Sequence, residues 1–212
     1  MGTGRHSLRK KLLLAVSAPV VFFLVFEGAL RLFGYGNPST FTLRKTYGGQ
    51  DYHVANPAFT ARFFPRQNPR TPVPFAIPVK KHADGLRVLV LGASAAQGDP
   101  KPSFGFARML ERMLAGQFPE RPVEVFNLGI TAINSHVLKD IARDCRHLEA
   151  DYWVVYLGNN EVIGPFGPAN PGPAPTGNLL NLRNALARSR TGQLLGHLLG
   201  NAKTQPLQWK GM

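Results

Sequence analysis

The sequence is poor in cysteine and in acid. A single cysteine, Cys145, in 212 residues excludes an internal disulfide and any clustered-cysteine metal centre. Asp and Glu number 12 against 25 Lys and Arg, for a formal net charge of +13. An excess of that size raises nucleic acid as a partner, but its distribution points elsewhere. Arg5, Arg9, Lys10 and Lys11 precede the first apolar run. Arg31, Arg44, Lys45, Arg62, Arg66, Arg70, Lys80 and Lys81 follow it, with Asp51 the one acid between Gly28 and Asp84. Basic segments on both sides of an apolar run suit an anionic lipid surface, so the membrane is the expected partner and nucleic acid is not. No internal repeat and no Gly-Lys-Ser phosphate loop occur, and no cofactor or metal is expected.

Long runs that are both uncharged and apolar are also scarce. Leu12 to Phe26 is such a run, and it falls short of the roughly 20 residues that span a bilayer core. With Glu27 and GALRLFG the apolar pattern reaches Phe33, which requires Glu27 to sit at the interface and pair with Arg31 one turn later. Residues 1–33 therefore read as a basic tail and an uncleaved membrane anchor. A cleaved signal peptide and a buried soluble helix are the alternatives. An anchor that begins the chain is expected to leave its N-terminus inside and the rest outside the cytoplasm, facing the periplasm or cell exterior, although the basic residues on its two sides bias orientation only weakly.

Residues 34–83 read as a proline-rich extended linker. FFPRQNPRTPVPFAIP lacks a helical period, and proline fixes φ and removes a donor. Phe63, Phe64 and Phe75 imply that it packs on something. From 84 to 212 the texture changes. LRVLVLG is a short apolar run of the kind buried in parallel sheets. FGFARMLERMLAGQF repeats Phe106, Leu110, Met113 and Leu114 at helical spacing, with Ser103 a candidate N-cap. PVEVFNLG is a second strand, NSHVLKDIARDCRHLEA a helix with Val137, Leu138, Ile141, Cys145 and Leu148 inward, and YWVVYLG a third strand. A proline- and glycine-rich loop, GPFGPANPGPAPTG, precedes the helical pattern NLLNLRNALARSR. The β-α-β-α-β alternation predicts a parallel sheet covered on both faces, with Leu86 to Leu91 in the centre.

Ligands of open parallel sheets bind at the carboxyl ends of the strands. The first strand runs into Gly92-Ala93-Ser94-Ala95-Ala96-Gln97-Gly98-Asp99, the second into Asn127-Leu128-Gly129, and the third into Gly158-Asn159-Asn160-Glu161. A hydroxyl, a glycine backbone and a carboxamide on one edge are the parts of acyl transfer: a nucleophile and donors for a developing oxyanion. Taken singly, Ser94 also reads as a helix cap, Gly129 as a tight turn, and Asn160 as the anchor of its own loop. A dinucleotide-binding turn fits less well, since Ala95, Ala96 and Asn127 stand where glycine and an acid are wanted. The nucleophile elbow of another hydrolase fold fails at Ala96.

The three segments resemble the first three blocks of the SGNH/GDSL serine hydrolases over about residues 84–165. GASAAQG departs from Gly-Asp-Ser-Leu at the aspartate and leucine. Asn127-Leu128-Gly129 fits the second block. Gly158-Asn159-Asn160-Glu161 follows the Gly-x-Asn-Asp block with Glu in its last position. The resemblance implies a three-layer α/β/α fold of flavodoxin-like strand order, with Ser94 as nucleophile. The amides of Ser94 and Gly129 and the side chain of Asn160 would form its oxyanion hole. The anchor, ALRLFGYG, the proline-rich lead and YLGNNEVIGPFG also resemble large membrane-anchored bacterial envelope proteins of this family, in which more chain follows.

The family takes its general base from an Asp-x-x-His block after the last strand. The literal match here, Asp144-Cys145-Arg146-His147, precedes the third strand, and the one histidine after Asn160 is His197, on a helix pattern. No aspartate follows Asn160. The expectation is a truncated member, inactive as it stands. Two functions remain open: an esterase or acyltransferase acting on an acylated sugar or lipid ester of the envelope, and a non-catalytic binding or assembly module of the same fold.

Overall fold

The computed structural model describes residues 3–64, 68–169 and 177–200. Along the chain the elements are α1 (Thr3–Leu32), β1 (Thr42–Tyr47), β2 (Gln50–Ala55), β3 (Ala76–Pro78), β4 (Leu86–Gly92), α2 (Ser94–Gln97), α3 (Phe106–Gln117), β5 (Val123–Asn127), α4 (Ser135–Cys145), β6 (Tyr152–Tyr156), α5 (Gly177–Arg188) and α6 (Arg190–Gly200). This is a mixed α/β protein with a parallel sheet, a second, antiparallel sheet and an N-terminal apolar helix. It divides into two compact units, one gathering the residues up to Asn37 with those from Gly177 onward, the other beginning at Pro38. The residues from Gly177 thus group with the N-terminal helix, whereas the sequence pattern places them in a domain running from 84 to 212.

In the first unit, α1 contains a span long and apolar enough to cross a bilayer, the 23 residues Lys10–Leu32, within which an 18-residue stretch has a mean hydropathy of 2.2. Its one acid is not left bare. Glu27 Oε1 accepts from Arg31 Nε and from the Arg190 amide, both at 2.9 Å. Glu27 Oε2 accepts from the amide of Thr191 at 2.8 Å and its Oγ1 at 2.9 Å. The Glu27–Arg31 pair is the one expected from spacing. The carboxylate also lies at the N-terminus of α6, where first-turn amides lack helical partners and the helix dipole favours negative charge. Further along, Asn37 N donates to Gln193 Oε1 (2.9 Å), and Tyr35 Oη meets His197 Nδ1 at 2.6 Å. The expected C-terminal helical stretch breaks at Ser189. The Ser189 amide and hydroxyl both donate to the Leu186 carbonyl, and its hydroxyl oxygen accepts from the Gly192 amide, restarting the chain as α6.

In the second unit, β4 lies between β5 and β6, parallel to both. Every residue of β4 is buried, which is why it reads as an unbroken apolar run. Successive side chains of a strand point to opposite faces. Leu89 and Leu91 join Val137, Leu138, Ile141 and Cys145 of α4 and Leu148 beyond it. Val90 points the other way, to Ala107, Phe106 and Leu110 of α3. Helices therefore cover both faces, as the alternation predicts. Two details differ. Gly105, not Ser103, precedes the first residue of α3, because Pro102–Phe104 forms its own 3-10 turn. Met113 is exposed, since the first two turns of α3 make the sheet contact. Arg87, the one charge in β4, is buried. It donates to Glu124 Oε2 on the neighbouring strand at 2.9 Å and to the Leu148 carbonyl at 3.0 Å.

The lead from 34 to 83 is more structured than the extended linker expected. β1, β2 and β3 form an antiparallel sheet. The β1–β2 turn is Gly48-Gly49, with φ of +57° and +79°, the left-handed pair that a two-residue hairpin demands and glycine supplies without strain. Phe41, Phe59 and Ile77 are buried in the same core as Leu89 and Ile141, with Phe63, Phe64 and Phe75 packed against them. Arg62 stacks over the rings of Phe59 and Phe63 at 4.7 and 4.5 Å and pairs with Asp140 of α4 at 3.2 Å. Of the proline- and glycine-rich loop read after the third strand, residues 170–176 lie outside the described residues.

Candidate active site

Parallel pairing sets the site's position. Val90 pairs with Asn127 and Gly92 with Tyr156, so the three strands end nearly flush. The loops carrying Ser94, Gly129 and Asn160 all leave from that carboxyl edge. Ser94 is the first residue of α2, a single turn closed by Gly98 in the left-handed region (φ +81°). Its carbonyl accepts from the amides of Gly98 (2.9 Å) and Asp99 (3.1 Å). The side chain is half-buried, and among the described residues its Oγ has no hydrogen-bond partner.

Gly129 is held against that same turn. A Cβ at this position would lie 2.6 Å from Gln97 N, 2.8 Å from Gln97 Cα and 3.1 Å from Ala96 C, all backbone atoms, so only glycine lets α2 rest on the second loop. Asn127 fixes both sides of the contact: Nδ2 donates to the Gln97 carbonyl at 3.0 Å, and Oδ1 accepts from the Gly129 amide at 3.0 Å. Thr131 Oγ1 donates to Gln97 Oε1 at 2.7 Å, with Asp99 Oδ2 at 3.3 Å. The structure thus brings the Ser94 turn and Gly129 into direct contact.

Asn160 reaches the second loop by a different residue. Its Nδ2 donates to the Ile133 carbonyl at 3.0 Å, and its own carbonyl accepts from Gly164 N at 2.7 Å. Glu161, the departure from the expected Asp, accepts from Ser135 N (2.9 Å) and Ser135 Oγ (2.6 Å). It is the acidic cap of α4, a role that its place in the sequence does not suggest. Asn134 Nδ2 donates to the Pro165 carbonyl at 2.9 Å. These bonds fasten the third loop to the start of α4. The Gly129 amide and one N–H of Asn160 are therefore engaged within the protein; Ser94 Oγ is open.

A cavity of about 310 Å³ lies beside the site, lined by Ser103, Arg108, Glu111 and Asn127 among others. It touches the site only through Asn127 and includes neither Ser94 nor Asn160. No group of three or more metal-ligating side chains occurs among the described residues.

Asp144 Oδ2 accepts from the Phe41 amide at 2.9 Å, and His147 Nε2 is 3.4 Å from His53 Nδ1. The neighbouring Leu148 carbonyl meets Arg87 at the start of β4, so this Asp-x-x-His match belongs to the amino edge of the sheet. Burial, then the charges of His147, Arg44 and Arg87, hold the His53 imidazole below its ordinary pKa. His136, passed over in the sequence, lies in the first turn of α4, exposed, its ring 6.2 Å from that of Phe166. Its signal was available: a helix following a parallel strand begins at the carboxyl edge. Cys145 is fully buried, and burial and then Asp144 push its thiol pKa well up, which removes it as a nucleophile. No protein-family model, curated protein or solved structure matches this chain.

Proposed function

We propose that this chain is a membrane-anchored serine ester hydrolase or acyltransferase of the SGNH/GDSL type, acting on an acylated carbohydrate or lipid ester of the cell envelope. The observation that carries the reading is Ser94. Its hydroxyl is open at the carboxyl edge of the central strand, and its turn abuts Gly129 through contacts only glycine permits. The sheet order β5-β4-β6, second strand beside first beside third, agrees with the flavodoxin-like order that the resemblance implies. α1 anchors the chain, with its N-terminus inside and the folded unit outside the cytoplasm.

Ser94 Oγ attacks the acyl carbonyl carbon as its proton passes to a base. The tetrahedral oxyanion takes hydrogen bonds from the Ser94 and Gly129 amides and from Asn160. Collapse expels the alcohol, which takes a proton, and water or a sugar hydroxyl then receives the acyl group. For Gly129 to donate, its amide must leave Asn127 Oδ1, a 3.0 Å bond. That bond, and a Ser94 hydroxyl without an imidazole partner among the described residues, favour a second reading: a module of the same fold that binds an acylated ligand without turning it over.

The test is nitrophenyl butyrate hydrolysis by the detergent-solubilised chain with imidazole added as the external base. The enzyme reading expects imidazole-stimulated nitrophenol release in excess of the protein-free imidazole rate, an excess that Ser94→Ala abolishes. Equal rates for the two proteins at every imidazole concentration would leave only the binding module.

A further inference from the structure

Unit one contains an apolar surface besides the spanning helix. Leu179, Leu182 and Leu186 are exposed on α5, and Leu195, Leu198 and Leu199 are exposed on α6. Within each helix these positions repeat at three-, four- or seven-residue intervals and so share a face. On α6 that face is opposite Gln193 and His197, which carry the contacts to Asn37 and Tyr35. Leu180, in contrast, is buried.

Depth follows from the hydrogen bonds. The N-terminus of α6 is fastened to Glu27, five residues before α1 ends at Leu32. At 1.5 Å per residue that is about 7.5 Å below the end of the spanning helix. From there α6 rises toward the end of α1, since His197, further along α6, meets Tyr35, which lies just beyond Leu32. The exposed leucines of α6 therefore begin at the depth of the bilayer boundary. The charges suit that layer. Arg31, Arg183, Arg188 and Arg190 belong to this unit, and Glu27 is matched by Arg31 and the α6 amides. An apolar face beside basic residues at a spanning helix's end is the composition of an interfacial element attracted to anionic lipid.

We infer that α5 and α6 form a second membrane contact, an amphipathic pair seated in the headgroup and upper acyl layer of an anionic bilayer, buckled to the anchor by Glu27. The inference rests on α1 spanning the bilayer. Its consequence is that the chain between α1 and α6 leaves and returns at the membrane surface.

The experiment uses the full chain in vesicles of phosphatidylglycerol and phosphatidylethanolamine. An environment-sensitive NBD label is attached to Leu198→Cys, Leu182→Cys, Val20→Cys or Met113→Cys, each made singly. Cys145 is fully buried and does not compete. A label at 198 or 182 should lose most of its emission to lipids carrying a nitroxide high on the acyl chain and resist aqueous iodide. Met113, exposed on the other unit, should show the reverse. Iodide quenching at 198 equal to that at 113 overturns the inference. So does protection from both quenchers, which would mean that protein covers this face. Val20 separates the failures: if it is quenched by nitroxide deep in the acyl chain while 198 is wet, the anchor stands and the interfacial pair falls.

Discussion

Replacing Gly129 by alanine tests the contact on which the site is built. Gly129 is not in the left-handed region, so the effect of a methyl is steric. That methyl would stand 2.6 Å from Gln97 N and 2.8 Å from Gln97 Cα. Carbon contacts relax at about 3.5 Å or more, so α2 must retreat by roughly 0.8 Å. Overpacking of this kind costs about 1–3 kcal/mol. The retreat also stretches the 3.0 Å bond from Asn127 Nδ2 to the Gln97 carbonyl beyond hydrogen-bonding range, a further ~1 kcal/mol. With a urea m-value of about 1–3 kcal/mol/M, the unfolding midpoint of the second unit should fall by about 1–2 M, read by intrinsic fluorescence in detergent. Ser94 sits on the displaced turn, and a shift near 1 Å costs reactivity about a hundredfold. A Gly129→Ala protein with an unchanged midpoint and unchanged Ser94 reactivity would refute the argument, because α2 would then not rest on Gly129.

Glu161→Ala removes both bonds to Ser135 and uncaps α4. The expected loss is about 1–2 kcal/mol, seen as faster hydrogen exchange in the first turn of that helix. The His53 imidazole is held below its ordinary value of 6.5 by burial and by its cationic neighbours. Its neutral form is therefore the native one. The stability this provides is whole above about pH 6.5 and is lost as pH falls through the depressed value; His147→Asn, which removes one neighbour, should raise the His53 pKa in an NMR titration. Cys145 should resist a thiol-specific disulfide reagent at pH 8 in the native chain and react fully in urea; rapid native labelling would contradict its burial.

The parallel half of the fold was legible because its signals are local. β4 is buried on both faces and so is apolar throughout, and α4 repeats Val137, Leu138, Ile141 and Cys145 at the spacing that covers Leu89 and Leu91. The antiparallel sheet is harder to read: TYGGQDYHV carries a hairpin signal, two glycines between β-formers, but the dense prolines at 65–78 give the surrounding lead the pattern of an extended linker. The turn at Ser189 and the return of α6 to α1 depend on Glu27, a contact across 163 residues that no local pattern encodes. At the site, the placement of Ser94, Gly129 and Asn160 on one edge follows from strand direction alone. What the sequence did not disclose is how their donors are already engaged. Asn127 Oδ1 on the Gly129 amide is an Asx turn, and Glu161 acts on α4 rather than within its own loop, both set by loop geometry.

The central claim is that Ser94 is the nucleophile, and a fluorophosphonate tests it directly by leaving a covalent mark on an activated serine. Proteolysis after arginine gives Val88–Arg108, which holds Ser94 and also Ser103 of the neighbouring cavity, so fragment masses separate the two. With imidazole present the account predicts one phosphonyl group on Ser94, absent from Ser94→Ala and reduced in Asn160→Ala. Modification at Ser103 in place of Ser94, or none anywhere in the folded chain, would contradict it.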